Sequence, residues 1–544
     1  MPTILIDNRE VEIPTGRRLN AIEAAQLAGI DIPYYCWHPG LSVVGSCRMC
    51  LIEVGTRDPK TGKITLQPKL SPACNTVVTE NMVLVTNSEK VARARAMVEE
   101  GLLLRHPIDC PICDKAGECV LQDYHFHYGQ ADRRADVAPF TSRRRDLGDV
   151  TLFVDRCVLC SRCVRFTAEI SGTRELLFTG RGAHEEIDVV AGFPLRNKLS
   201  GNVVDLCPVG ALGDKLFLYQ QRVWFLRRHR GVCTGCATGC SIWIEENQDR
   251  IYRIKPRENP HVNKWWICND GRYDYPHVHN PRRFTQPHRR DGGRLVEIDW
   301  VGLPGTLREQ LHSAGRLAAV VSPLLTVEEA YLLCKLIRSI DAEALLVLGP
   351  VPLVGEDERF AKGFTISAEK CPNRRGVEAI IAHFAHRLTT FAEFLPELDR
   401  KAVEGVWFSG GYKTDWIDQA TAVRFEQLKL LVVQDLFPSP LAERATYVLP
   451  AAAYAERDGS YVNRADWLQT AYWAIRPPLG VRSEGSLLWE LSGRKGLYDA
   501  PAVLAEIARE ILYFSAASGP VPETGIDLRS NQLASEESTP VFQG

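Results

Sequence analysis

The sequence of 544 residues lacks a long apolar run, a charge bias and, over its second half, almost all cysteine. No apolar run approaches the roughly 20 residues that a membrane-spanning helix needs, and the N-terminal residues do not resemble a signal peptide. Lysine and arginine number 65 against 67 acidic residues, which gives no reason to expect binding to nucleic acid. We therefore expect a soluble, cytoplasmic protein with several domains, because the chain exceeds what one core usually serves.

Cysteine is concentrated in the first half: fifteen of the seventeen cysteines lie between Cys36 and Cys268, most in groups spaced by two or three residues. The odd total fits a fully paired disulfide framework poorly, and a large chain of cytosolic character does not need disulfides. Closely spaced cysteines in a reducing compartment are commonly metal ligands. We therefore expect metal sites, with disulfides as the lesser alternative.

One group places a histidine and three cysteines at H-x3-C-x2-C-x5-C, namely His106, Cys110, Cys113 and Cys119. Zinc also accepts such a set, but zinc sites usually take their ligands as two separated short pairs. Four crowded ligands suit a [4Fe–4S] cluster, whose irons each need one outward ligand. An isolated histidine is more often structural than a ligand. A neutral imidazole in place of a thiolate would remove one negative charge and so change the potential of the cluster.

The N-terminal region predicts a β-grasp ferredoxin. Residues 3–6 and 10–13 resemble two short strands, and residues 19–28 have helical spacing that ends at Gly29. The cysteine-rich loop that follows suggests a [2Fe–2S] centre or, as the lesser alternative, a structural zinc. Its ligands would be Cys36, Cys47, Cys50 and Cys74.

Two further groups predict [4Fe–4S] clusters, again with zinc as the lesser alternative. The first has the C-x2-C-x2-C spacing of bacterial ferredoxins and a later Cys-Pro, with ligands Cys157, Cys160, Cys163 and Cys207. The second is similar to the N-terminal cluster of molybdopterin-dependent oxidoreductases, with ligands Cys233, Cys236, Cys240 and Cys268. Four complete sites leave only Cys334 and Cys371 unassigned.

After residue 285, apolar runs alternate with helical patterns, which predicts βαβ units and a parallel sheet. Residues 435–469 resemble part of the molybdopterin oxidoreductases. We nevertheless expect no molybdopterin, because the remaining chain is short for such an enzyme and Cys371 lacks the following histidine expected beside a molybdenum ligand. Ser409–Gly411 follows a predicted strand but matches no phosphate-binding motif. The strands are predicted at 317–322, 344–348, 406–409 and 430–434, and the helices at 326–340 and 377–387.

Three motifs resemble those of the large iron–sulfur subunit family of respiratory complex I, the G subunit of NADH-quinone oxidoreductase. They are Pro33–Cys50, Cys110–Gln122 and Arg156–Phe166; Ala116 stands where that family usually has glycine or serine. The four complete ligand sets predict one [2Fe–2S] and three [4Fe–4S] clusters, and the resemblance implies an electron-transfer subunit with no catalytic residue of its own. It implies partners: a flavin subunit that oxidises NADH, and a ferredoxin-like subunit nearer the quinone. The location implied is the cytoplasmic face of the membrane, reached only through partner subunits.

The same resemblance implies that electrons pass from the [2Fe–2S] centre to the Cys157 cluster and then to the His106 cluster, with the Cys233 cluster off this path. We expect electrons to enter at the loop from Cys36 to Cys50, with Trp37, His38 and Arg48 available for contact. Two alternatives remain open, a catalytic subunit of a formate dehydrogenase and the diaphorase-side subunit of a hydrogenase.

The expected fold is a multidomain α+β and α/β protein. It would comprise a β-grasp [2Fe–2S] ferredoxin domain, ferredoxin-like [4Fe–4S] segments and a truncated molybdopterin-oxidoreductase-like α/β domain. The predicted divisions are residues 1–85 for the β-grasp domain, 86–130 for the segment with one histidine and three cysteine ligands, 131–220 for the ferredoxin-like domain, 221–285 for the molybdopterin-oxidoreductase-type cluster domain, 286–514 for the α/β domain and 515–544 for a flexible tail.

Overall fold

The computed structural model describes residues 2–132, 134–141, 143–385 and 387–529. The chain divides into two compact units: one comprises the residues up to Leu226 together with Phe360–Lys362, and the other comprises Arg227–Arg359 and the chain from Gly363 onward. The division after Leu226 lies close to the predicted boundary at residue 220. Within the described part of the chain, no helix is both long enough and apolar enough to cross a membrane.

The first unit contains short strands and helices separated by long loops. Its strands are β1 (Thr3–Ile6), β2 (Arg9–Glu12), β3 (Leu51–Arg57), β4 (Ile64–Leu66), β5 (Ser71–Pro72), β6 (Met82–Val85), β7 (Arg144–Asp146), β8 (Val150–Phe153), β9 (Leu176–Thr179), β10 (Glu186–Val189) and β11 (Leu212–Asp214). Its helices are α1 (Ala21–Leu27), α2 (Glu89–Leu103), α3 (Val120–Tyr128), α4 (Arg162–Glu169) and α5 (Asn202–Leu206).

The N-terminal sheet has the order β2-β1-β6-β3-β4, with β5 paired to β3. β1 and β6 are parallel, whereas the other neighbours are antiparallel. Helix α1 starts at a capping box in which Asn20 and Glu23 exchange hydrogen bonds, and its buried alanines pack with Ile4 and Ile6 in one core. This mixed sheet crossed by one helix agrees with the β-grasp prediction.

The rest of the first unit carries two small sheets, β11-β8-β7 and β10-β9. Helix α4 begins within the third cysteine group and packs against α5 and β9. Because regular elements are short here, long loops run between them. The predicted ligands from His106 onward lie mainly in these loops and at the helix starts.

The second unit contains the strands β12 (Arg227–Val232), β13 (Ser241–Asn247), β14 (Arg250–Pro256), β15 (His288–Asp291), β16 (Arg294–Glu297), β17 (Leu317–Val321), β18 (Leu345–Leu348), β19 (Glu358–Arg359), β20 (Thr365–Ile366), β21 (Thr389–Thr390), β22 (Gly405–Ser409), β23 (Leu430–Asp435), β24 (Tyr447–Pro450), β25 (Gly459–Val462), β26 (Trp467–Ala471) and β27 (Ile526–Asp527). Its helices are α6 (Asn269–Arg272), α7 (Leu303–Ser313), α8 (Val327–Ile340), α9 (Arg374–Phe384), α10 (Phe391–Asp399), α11 (Gln419–Val423), α12 (Glu484–Leu491) and α13 (Ala500–Glu510).

Its main sheet has the order β16-β15-β24-β23-β22-β17-β18-β21, and the strands from β24 to β21 are parallel. In β17, Ala319 and Val321 belong to one apolar core while Ala318 and Val320 belong to another, so both faces of the sheet are covered. This is why the parallel strands read as continuous apolar runs. The predicted parallel α/β sheet is confirmed, with antiparallel β15 and β16 added at one edge.

The segment predicted to be a flexible tail is partly ordered. Leu512–Ala517 forms a 3-10 helix, and β27 pairs with β26. Leu528 is fully buried in the larger core, so apolar packing holds residues 515–529 in place. The remainder of the predicted tail, 530–544, lies outside the described residues.

Candidate functional site

All sixteen predicted ligands lie in the described part of the chain, and all seventeen cysteines are free thiols. The four predicted sets therefore remain available for metal binding. The first three sets lie in the first unit and the fourth lies in the second unit.

The first set brings its four thiols together. Cys36, Cys50 and Cys74 are buried and Cys47 is partly exposed. Hydrogen bonds from the Cys47 and Cys74 thiols, and then from the backbone at Cys47 and Ser46, hold the pKa of the Cys36 thiol well below its usual range. Gly45 has a φ of 64°, a left-handed conformation that suits glycine and helps to turn the loop inward. The same shared hydrogen bonds lower the pKa of Cys50 and raise the pKa values of Cys47 and Cys74, so the four thiols form one hydrogen-bonded group.

The loop that enters this site is fixed by two helices. Tyr35 donates a buried hydrogen bond of 2.5 Å to Glu99 of α2, and the backbone N–H of Tyr34 donates to Tyr124 of α3 at 3.1 Å. Trp37 is only 4% exposed, so the prediction that it is available for contact is wrong; its ring packs edge-on against Tyr34 in the core. Arg48, by contrast, is exposed as predicted.

The second set lies around His106, which is half-buried. Burial, and then the nearby Arg156 guanidinium, lower the pKa of His106. The imidazole is therefore neutral at neutral pH and keeps the lone pair that a metal ligand needs. Burial raises the pKa of Cys113 and that of Cys119, with smaller contributions from the neighbouring Cys110 and Cys113 thiols respectively.

Arginines hold this second set in place. Arg156 is buried and donates to Asp109 at 2.9 and 3.0 Å, while its guanidinium stacks 4.1 Å from the ring centre of Phe153. Arg222 donates to the backbone carbonyls of Cys110 and Cys113, each at 3.0 Å. Sequence reasoning did not assign a role to either arginine, since their partners lie far along the chain.

A glycine brings the second and third sets close to each other. A Cβ placed on Gly210, three residues after Cys207, would lie 2.2 Å from the Cys113 sulfur. The backbone N–H of Val120, next to Cys119, donates to the carbonyl of Pro208 at 2.9 Å. The chain segment after Cys207 therefore packs directly on the loop of the His106 site.

The third set, Cys157, Cys160, Cys163 and Cys207, lines one cavity together with apolar side chains that include Leu152 and Ile187. The loop between the cysteines holds two non-glycine residues in left-handed conformations, Leu159 with φ 50° and Ser161 with φ 63°. Such strain is typical of functional loops. The backbone N–H of Leu159 points at the Cys157 sulfur at 3.4 Å, as expected for a loop that stabilises a thiolate.

The fourth set, Cys233, Cys236, Cys240 and Cys268, is buried throughout. Burial and the neighbouring thiols raise the pKa of Cys240 well above its usual value. The backbone N–H of Gly235 donates to the Cys233 sulfur and that of Gly271 donates to the Cys268 sulfur, both at 3.4 Å. All four predicted ligands of this set therefore share one buried environment.

The chemistry of the four donor sets fits iron–sulfur clusters. Each set offers four ligands, and together they comprise fifteen free thiols and one imidazole, which are ligand types that such clusters take. Zinc accepts the same ligand types and stays the lesser alternative.

The two remaining cysteines have ordinary structural positions. Cys334 is fully buried in α8, and Cys371 is fully buried with its thiol donating to Glu369 at 3.4 Å. The glycine turn after β22 is also internally bonded: Gly410 N–H donates to Gln434 and Gly411 N–H donates to Asp435. These N–H groups are therefore engaged within the fold.

Five family models match the chain. They are the 2Fe-2S iron-sulfur cluster binding domain over residues 1–89, the NADH-ubiquinone oxidoreductase-G iron-sulfur binding region over 95–134, and the ferredoxin-like domain of NADH-quinone oxidoreductase subunit 3 over 149–213. The molybdopterin oxidoreductase Fe4S4 domain matches 226–280, and the molybdopterin oxidoreductase model matches 389–494.

Curated relatives match over about two thirds of this chain. The NADH-quinone oxidoreductase G subunit of Rickettsia felis is 34% identical over 62% of this chain and 48% of its own length, and that of Mycobacterium tuberculosis is 36% identical over 62% and 42%. The NADH-ubiquinone oxidoreductase 75 kDa subunit of Reclinomonas americana is 33% identical over 66% and 51%. The chain thus spans about half the length of the curated relatives it matches. A solved chain of an NAD+-reducing [NiFe]-hydrogenase is 29% identical over 41% of this chain and 91% of its own, with a TM-score of 0.33.

Proposed function

We infer that this chain is an electron relay of the kind found in the G subunits of NADH-quinone oxidoreductase, to which its relatives and family-model matches are similar. Iron–sulfur clusters, when bound, supply one-electron redox chemistry, and the chain supplies ligands, hydrogen bonds and a low-dielectric environment. The single observation that carries the proposal is the juxtaposition of three ligand sets within the first unit. Arg165 connects the first set to the third, and the segment after Cys207 packs on the loop of the second, which suits stepwise transfer from one cluster to another.

The proposed path runs from the [2Fe–2S] site at Cys36 to the Cys157 site and then to the His106 site. Arg165 contacts the carbonyls of both Cys36 and Cys160, which joins the first two sites. Gly210 and Cys113 are in contact, which joins the second and the third. The fourth set belongs to the other unit and is not part of this proposed path.

Electrons would enter at the loop between Cys36 and Cys50. Its exposed residues include Val43, Val44 and Arg48. Two apolar side chains beside a cation fit a transient protein contact, in which a small apolar centre is ringed by polar groups. We propose that a flavin-bearing NADH-oxidising subunit docks here, because one-electron clusters cannot accept a hydride.

Electrons would leave near the His106 site. Ile108 and Ile112 of its ligand loop and Trp224 and Phe225 of the adjoining segment are each more than half exposed. Arg222 fastens that segment to the ligand loop, so the four side chains lie around one site. Exposed aromatic and aliphatic groups of this kind mark interaction surfaces. We propose that a ferredoxin-like subunit on the way to quinone covers them.

Metal analysis tests the assignment of ligands. One [2Fe–2S] and three [4Fe–4S] clusters correspond to about fourteen irons per chain, with matching sulfide. We expect this content in anaerobically purified protein, with zinc well below one per chain. Stoichiometric zinc with little iron would contradict the proposal.

A variant in the assembled complex tests the direction of transfer. Cys47→Ser removes a partly exposed ligand of the entry site, and we expect NADH to reduce none of the later clusters while dithionite still reduces them. Cys371→Ala, which alters a buried thiol outside the four sets, is the matched control and should conduct normally. Normal NADH-driven reduction in the Cys47 variant would overturn the assignment, as would NADH oxidation with ferricyanide by the isolated chain without a flavin subunit.

A second candidate is the catalytic subunit of a formate dehydrogenase. The matches to the two molybdopterin oxidoreductase models favour it. Against it, Cys371 is fully buried and bonded to Glu369, which is a poor setting for a molybdenum ligand. We therefore propose that residues 286–514 are a pterin-free scaffold.

A further inference from the structure

Helix α4 leaves the third ligand set and reaches the first. It begins at Arg162, directly after Cys160 and Ser161, and carries Cys163 in its first turn. Arg162, Arg165 and Glu169 are spaced three and four residues apart and therefore share one face of the helix. That face is directed at the Tyr34–Ser42 segment, which contains Cys36.

Arg165 makes the central contact. Its guanidinium donates to the backbone carbonyl of Cys36 and to that of Ser42, and also to the carbonyl of Cys160 at 3.5 Å. Its Nε donates to the Ser161 hydroxyl at 3.0 Å, which fixes the orientation of the planar guanidinium group. One planar group thus bonds to a ligand residue of each of two sites.

Two neighbours on the same face strengthen the contact. Glu169 accepts hydrogen bonds from the Ser42 N–H at 2.9 Å and from its hydroxyl at 2.5 Å. Arg162 lies 5.6 Å from the ring centre of Tyr34 and donates to the carbonyl of Leu206, the residue before Cys207. Arg162, Arg165 and Glu169 of α4 therefore each contact the Tyr34–Ser42 segment.

We propose that Arg165 is a positioning residue for electron transfer: it holds the Cys36 loop against the Cys160 loop and so sets the rate of transfer between the [2Fe–2S] and Cys157 clusters. The inference rests on the proposed function. Electronic coupling falls steeply as bonded contacts are replaced by gaps, and the Cys36 carbonyl, the guanidinium and the Cys160 carbonyl form a continuous hydrogen-bonded connection.

Arginine is specific for this role. Its guanidinium presents donors in a fixed planar fork, so it can bond to several carbonyls at once, whereas lysine is a point charge on a flexible stem. Arg165→Lys therefore keeps the positive charge near both clusters but loses the connection. Any effect of charge alone on the cluster potentials should be retained in this variant, and an effect of position should not.

The test uses the assembled complex with all its subunits. After mixing with NADH, rapid freeze-quench EPR follows reduction of each cluster in turn, and equilibrium titration gives the potentials. In Arg165→Lys we expect both clusters to be present with unchanged potentials, and transfer between them to be slowed severalfold, because the hydrogen-bonded connection is replaced by a gap. The later step to the His106 cluster should keep its rate. Arg57→Gln, which alters an exposed arginine paired with Glu10 in the same unit, is the control.

A normal rate in Arg165→Lys with both clusters intact would overturn the inference and leave the proposed function standing. Absence of the clusters from the unmodified protein would instead refute the proposed function. If Arg165→Lys loses a cluster, Glu169→Gln provides the test instead. This substitution weakens the hydrogen bonds to Ser42 in the Cys36 loop and alters neither a ligand residue nor Arg165. An unchanged rate of the first transfer in Glu169→Gln would then overturn the inference, and a selective slowing of that step would support it.

Discussion

Replacement of Gly210 by alanine should remove one cluster and spare its neighbour. The added Cβ would lie 2.2 Å from the Cys113 sulfur. Ordinary contact begins near 3.4 Å, so the sulfur must move by roughly 1.2 Å. Metal–ligand distances tolerate deviations of only about 0.2 Å, so Cys113 can no longer ligate in its present position.

The backbone around Gly210 cannot easily relieve this clash. Pro208 accepts a hydrogen bond from Val120 at 2.9 Å, and Ala211 accepts one from Phe153 at 2.7 Å, so the segment is held on both sides. The φ of Gly210 is not in the left-handed region, so alanine introduces no backbone strain of its own. The effect is therefore steric and local to the His106 site.

Iron analysis and EPR of the reduced protein measure the outcome. We expect about ten irons per chain instead of about fourteen, with the signal of the His106 cluster lost and that of the Cys157 cluster retained. Gly101→Ala is the matched control, because a Cβ there meets nothing within 4 Å and alanine favours the helix α2 that contains it. Full iron content and an unchanged spectrum in Gly210→Ala would refute the reasoning.

Three further predictions concern other residues. His106→Cys should keep a [4Fe–4S] cluster but lower its potential by adding thiolate charge, while His106→Ala should make the cluster labile; unchanged EPR titrations in both variants would mean that His106 is not a ligand. Burial raises the pKa of Glu328 from its ordinary 4.5 to about 7, so the folded protein binds the proton more tightly and its stability falls as pH rises through this range. Glu328→Gln should therefore stabilise the protein at pH 8, adding up to about 3 kcal/mol to the free energy of unfolding and raising the melting temperature, and should change both little at pH 5. Equal shifts of the melting temperature at both pH values would count against this. Extraction should yield no pterin fluorescence and no molybdenum or tungsten, and stoichiometric pterin would favour the formate dehydrogenase alternative.

Much of the fold is predictable because local signals agree with packing. Helix α8 begins at Thr326, whose capping box with Glu329 is visible in the sequence, and β17 and β23 read as apolar runs because both of their faces are covered. The ligand sets are also predictable as hypotheses, because cluster chemistry fixes residue type and close spacing. Neither inference needs long-range information.

What sequence reasoning misses depends on contacts between distant segments. Trp37 lies beside a ligand and is predicted to be exposed, but it packs into the N-terminal core against Tyr34. Nothing local to Gly210 indicates that the Cys113 sulfur lies against it. The segment around Leu528 is rich in polar residues, yet one strand pair and one buried leucine order it.

The burial of the ligands links cluster binding to folding. Burial raises the pKa of Cys157 and that of Cys163, so neither thiol ionises readily in its apolar cavity. A ligating thiol must nevertheless be deprotonated, and the positive charge that makes this possible comes mainly from the irons themselves. Arg162 beside Cys160 and Arg156 beside Cys113 make smaller favourable contributions that are present before any cluster arrives. The first unit therefore gains stability when clusters enter and protons leave, and the same arginines that favour ligation also fasten each ligand loop to its neighbour.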